Sequence, residues 1–100
     1  MRLSNFRSYQ LAKDLYRACL NQPVKGYARD QLHRASHSIC LNLAEGTAKP
    51  NQKERRRFYT MALASLREVQ ACIDLHGLDI EKEADHLGAN IFKLIQKLDG

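Results

Sequence analysis

Apolar residues recur at spacings of three and four along most of this chain, and three short polar stretches interrupt the pattern. The first run predicts a helix from about Asn5 to Leu20, capped by Ser4 or Asn5, with Ser8, Leu11, Ala12, Leu15, Ala18 and Cys19 on its core face. Asn21 to Gly26 breaks it, with Pro23 and Gly26 as punctuation. A second helix follows from Tyr27 or Ala28 to Glu45, with Leu32, Ala35, Ser36, Ile39 and Leu43 on one face and Gly46 as a left-handed C-cap. Asn42 lies beside that face; an amide so placed needs hydrogen-bond partners and sets how neighbouring helices dock. The third helix opens at Asn51, with Glu54 in the position of a capping box. It carries Phe58, Ala62, Ser65, Leu66, Val69, Ile73 and His76 inward and ends at Gly77. The last helix, after a turn with Asp79 as candidate cap, places Ile80, Ala84, Leu87, Gly88, Ile91, Leu94, Ile95 and Leu98 on one stripe. Gly88 costs about 1 kcal/mol against alanine there, which a close helix crossing would explain.

Short turns make consecutive helices antiparallel neighbours. The expected fold is therefore all-α: a single-domain, antiparallel, up-down-up-down four-helix bundle spanning residues 1–100. One hundred residues suffice for one core without metals or disulfides. Cys19, Cys40 and Cys72 each fall within a helix and read as small reduced core residues. No apolar run approaches a membrane span and the N-terminus has no apolar signal core, so a cytoplasmic location and no membrane partner are expected.

A second, offset stripe on the first helix holds Tyr9, Tyr16 and Leu20, and Leu41 falls opposite the core face of the second helix. Two stripes on one helix suggest neighbours on two sides, and so an oligomer interface; the alternative is tyrosines half exposed at the bundle rim.

Several residues carry a resemblance. Ser38-Ile39 followed by Asn42-Leu43-Ala44-Glu45-Gly46 resembles the "SI..NIAEG" signature of a bacterial four-helix-bundle family encoded by intervening sequences in 23S ribosomal RNA genes. Phe6 to Tyr16 resembles that family's first helix, Gln31 to Ala35 its "Q.RRA" run, and Phe58 to Glu68 its "F...A..S..E" third helix, a likeness covering about residues 4–76. The accessory protein of diversity-generating retroelements is a more distant relative. His33 replaces the usual basic residue, Cys40 and Leu41 precede the asparagine, and the loop from Gln22 to Gly26 lacks the usual acidic turn. The resemblance implies the same fold and a homo-oligomer, with pentameric rings known in the family.

Charge adds a candidate site. Residues 1–67 hold thirteen Lys and Arg against four Asp and Glu, whereas residues 68–100 hold three against seven. The last helix therefore reads as acidic and the rest as attractive to polyanions. Lys49, Lys53, Arg55, Arg56 and Arg57 cluster around the start of the third helix, where the helix dipole disfavours cations, and Arg34 extends the positive charge. Phosphate-backbone contact with RNA or DNA is the functional reading; a solvated helix start is the bland one. A protein-binding scaffold with no nucleic-acid ligand, docking through the acidic helix or the spare apolar stripes, is the alternative.

His33, His37 and Cys40 have metal-ligand spacing, but the helix lacks the glutamate of a zinc hydrolase and Arg34 would repel a cation; no metal and no cofactor are expected. No nucleophile has a base near it in sequence and no carboxylates pair, so no catalytic residue is assigned. Glu45, set against the dipole at a helix C-terminus, points to a salt bridge with an arginine of a neighbouring helix or subunit.

Overall fold

The computed structural model describes residues 2–99 and contains four α-helices: α1 (Arg7–Leu20), α2 (Gly26–Thr47), α3 (Gln52–His76) and α4 (Glu81–Asp99). Each packs on the next in sequence, and α4 also packs on α1, which closes the ring of a four-helix bundle. The molecule measures 40 × 22 × 20 Å, and α3, at 1.5 Å per residue, is roughly as long as the bundle itself. Cross-helix contacts define its ends. The Phe6 and Tyr59 rings meet at 6.2 Å, so α1 and α3 begin at the same end. Ser8 donates a hydrogen bond to Asn90 Oδ1, which sets the start of α1 beside the second half of α4.

The core follows the predicted stripes. Ser8, Ala12, Leu15 and Cys19 of α1 meet Leu32, Ala35, Ile39 and Leu43 of α2 and Ala62, Leu66, Val69 and Ile73 of α3. Ile80, Ala84, Leu87 and Ile91 close the fourth side. Gly88 lies where an added Cβ would sit 3.2 Å from Leu66 Cδ2, the close crossing its position implied. Asn51 caps α3 by accepting from the Glu54 N–H at 2.8 Å, and Gly77, at φ 62°, ends it in a left-handed turn closed by Leu78 N–H to Ile73 C=O.

Four local expectations are corrected. Residues Leu3–Asn5 form a 3-10 turn, and α1 starts behind buried Phe6 rather than behind a Ser4 or Asn5 cap, because burying the Phe6 ring against Tyr59 draws the chain inward first. In α3 it is Tyr59, only 3% exposed, that enters the core; Phe58 is half-buried at the side and His76 is exposed. Tyr59 lies on the same stripe as Ala62, Leu66, Val69 and Ile73 at spacings of three and four, and it fits beside α2 at Gly46. At the start of α4, the Ile80 carbonyl receives the Ala84 N–H, so Asp79 lies one residue outside the cap position.

The fourth correction concerns Gly46. It is buried inside α2, not beyond its end, and its φ is not positive; the positive-φ glycines among the described residues are Gly26 and Gly77. Its role is steric. An added Cβ would lie 2.6 Å from Tyr59 Cε1 and 3.0 Å from Phe58 Cβ. The missing side chain lets α2 and α3 nearly touch. A polar clasp lies farther along the same helix pair: Ser38 Oγ and Ser65 Oγ are 2.9 Å apart, and Asn42 Nδ2 donates to the Ser38 carbonyl and hydroxyl at 3.0 and 3.2 Å. Asn42 thus acts on docking through its hydrogen bonds to Ser38. Gly46→Ala is expected to destabilise the fold by about 1–2 kcal/mol in urea unfolding, because overpacking against a buried ring outweighs the helix propensity alanine adds; unchanged or raised stability would refute the close approach.

Candidate nucleic-acid interface

The corner between α2 and α3 is built around one hydrogen bond. Arg55 Nε donates to the Lys49 carbonyl at 2.7 Å, so the first turn of α3 holds the end of the α2–α3 loop. Pro50 and the Asn51 cap prevent a continuous helix, and the guanidinium satisfies a carbonyl that the broken chain leaves over. Arg55 is therefore half-buried and structural as well as charged.

The other cations surround it. Lys49 Nζ lies 3.3 Å from Glu45 Oε2 and 5.1 Å from the centre of the Phe58 ring. Arg57 reaches Glu54 Oε2 at 3.3 Å and holds its guanidinium carbon 5.1 Å from the same ring. Phe58, displaced from the core by Tyr59, thus serves as an apolar rest for two cations. Lys53 and Arg56 are exposed on the same turns. Glu45 finds its partner in the lysine four residues on, beyond the end of its own helix, rather than in an arginine of another helix. These pairs explain how cations are tolerated at the positive end of the α3 dipole. They are exposed, contribute at most about 1 kcal/mol each, and exchange readily for another anion.

The structure brings together Lys49, Lys53, Arg55, Arg56 and Arg57 but not Arg34. Arg34 Nη2 donates to Gln31 Oε1 at 2.6 Å and lines a groove between α2 and α3 with Tyr27, Glu68 and Leu75, roughly 18 Å along α2 from the corner. The fold also carries to the corner's end of the bundle cations that the linear pattern does not group with it. Arg2 and Arg7 arrive there with the start of α1, and Lys93 and Lys97 with the second half of α4; all four are exposed. The last helix is not uniformly acidic: its carboxylates Glu81, Glu83 and Asp85 lie in its first turns, at the opposite end.

The apolar interface candidates divide. Tyr9 and Tyr16 are half-buried and pack on their own core, Tyr16 with its ring 5.6 Å from that of His37. Leu20 and Leu41 are 43% and 54% exposed. His33 is half-buried and Cys40 buried; among the described residues no three His, Cys, Asp or Glu side chains are grouped to hold a metal ion. No described helix is long and apolar enough to cross a membrane.

The three thiols are free. Burial pushes the Cys19 thiol up to about 11, against an opposing hydrogen bond from Ser36, and burial likewise pushes Cys40 up to about 11. Cys72 is raised by burial and then by the Glu68 charge. Between about pH 9 and 11 the unfolded thiols ionise while the folded ones stay protonated, so the folded state binds more protons and stability falls as pH rises. Urea unfolding at pH 8 and pH 10.5 is expected to show that loss, and Cys19→Ala or Cys40→Ala to lessen it; an equal loss in the variants would refute the burial effect.

A family model described as 23S rRNA-intervening sequence protein matches residues 6–99, which carries the resemblance through α4. No curated protein and no solved structure matches the chain.

Proposed function

We propose that this chain, which belongs to the 23S rRNA-intervening sequence protein family, is a non-catalytic protein that binds the phosphate backbone of RNA or DNA through the α2–α3 corner. The observation that carries this reading is the corner itself. Five cations face two carboxylates between residues 45 and 57, on a turn that the Arg55–Lys49 hydrogen bond keeps rigid. A phosphate displaces Glu45 from Lys49 or Glu54 from Arg57 without loss of core packing, since both pairs are on the surface. Phe58 lies among the cations but is half-buried and already covered by them, so recognition rests on backbone charge and shape rather than on base stacking. The family's description ties its members to an insertion in a ribosomal RNA gene, which makes structured RNA the first ligand to test.

Assembly of copies belongs to the same reading. Exposed Leu20 and Leu41 support a homo-oligomer, and several copies of one basic corner would bind a polyanion far more tightly than one. A cytoplasmic protein with nucleic acid as its partner fits this role.

Anisotropy of labelled structured RNA and duplex DNA over a salt series tests the binding. Log affinity should fall linearly with log salt, and Lys53→Ser/Arg57→Ser, which spares Arg55, should reduce the duplex slope by about 0.9 per lost contact, or about 1.8 in all. No binding to either ligand at low salt would overturn the proposal and direct attention to protein partners. Light scattering after size exclusion tests assembly: the parent should exceed the monomer mass and Leu20→Glu/Leu41→Glu should approach it, whereas a monomeric parent would refute the interface.

A further inference from the structure

The bundle is polarised along its long axis. At the end formed by residues 2–7, 45–57 and 90–99, nine Lys and Arg stand against three Asp and Glu. At the other end, residues 17–30 and 74–85 carry four Lys and Arg against six Asp and Glu. The polarity is invisible in the linear charge pattern because each end draws on separate stretches of chain. Phe6 against Tyr59 fixes Arg2 and Arg7 beside the start of α3. Ser8 against Asn90 fixes Lys93 and Lys97 one and two turns farther toward the same end, roughly 5 and 10 Å beyond Asn90. By the same rise, Lys53 lies roughly 9 Å beyond Tyr59 in that direction, so Lys53 and Lys97 reach a similar level, with Arg7 and Lys93 nearer the level of the Phe6–Tyr59 contact.

We infer that the whole basic end of the bundle is the polyanion surface, with Arg2, Arg7, Lys93 and Lys97 joining the α2–α3 corner, so that a nucleic acid crosses the end rather than running along the side. The inference rests on the proposed nucleic-acid reading and extends it to residues on two further helices. Of the carboxylates at this end, Glu45 pairs with Lys49 and Glu54 with Arg57, both within the corner itself. A strand following the 40 Å side would instead pass toward Asp74, Glu81 and Asp85, whose carboxylates would repel it. The end face, about 20 by 22 Å, meets roughly six base pairs of a duplex at 3.4 Å per pair. That footprint suits the four positions named and the corner together.

Two charge-matched triple variants test this beside the parent and Lys53→Ser/Arg57→Ser, in the same duplex salt series, each checked for folding by circular dichroism. Arg7→Ser/Lys93→Ser/Lys97→Ser alters the proposed end face, and Arg17→Ser/Arg29→Ser/Lys82→Ser removes the same charge from elsewhere. The first should lower the salt slope by up to about 2.7 and the second should leave it nearly unchanged. If only Lys53→Ser/Arg57→Ser weakens binding, the corner acts alone and the end-face inference falls while the function stands. Equal weakening by both triples would make the effect one of net charge and would also overturn it. Absence of binding by the parent would remove both.

Discussion

The approach of α2 to α3 at Gly46 is the constraint on which the rest of the molecule depends. A single absent Cβ lets the Tyr59 ring lie against the α2 backbone. With Tyr59 so placed, Phe6 has a surface to cover, α1 is drawn in behind its 3-10 turn, and Phe58 is left at the side. The clasp of Asn42, Ser38 and Ser65 holds the same pair of helices farther along, where side chains separate them. Steric contact and hydrogen bonding therefore act at two levels of one interface, and together they fix both its separation and its register.

The charged corner follows from that geometry. Because Phe58 is excluded from the core, its ring receives the charged groups of Lys49 and Arg57. Because Arg55 holds the Lys49 carbonyl, the loop cannot move away from the first turn of α3. The cations are thus displayed on a framework whose rigidity comes from the core, and their ion pairs are weak enough to be replaced. A corner that is rigid in backbone and exchangeable in charge is well suited to contacts with phosphates.

Much of this architecture was legible in the residues. The four stripes, the Asn51 cap, the left-handed Gly77 and the close crossing at Gly88 are local or periodic features, and each was where spacing put it. The misreadings arose where two local explanations competed. A glycine near the end of a helical pattern suggests a C-cap, yet Gly46 is there to admit the ring of Tyr59, thirteen residues farther along the chain on the next helix. Adjacent Phe58 and Tyr59 both fit an amphipathic pattern, and only the neighbour on α2 decides which is buried. Glu45 against the dipole signalled a partner correctly in kind, but the nearest cation proved to be one turn ahead.

The sequence by itself determined the helices, their antiparallel order and the presence of a basic cluster, because these depend on residues within a few turns of one another. Only the tertiary structure decided which charges share a surface. It separated Arg34 from the cluster along the length of α2, and it carried cations of α1 and α4 to the same end of the bundle while leaving the acids of α4 at the other. The physical reason is that an electrostatic surface depends on distance through space, and in an antiparallel bundle residues far apart in the chain come level with one another wherever packing fixes the register.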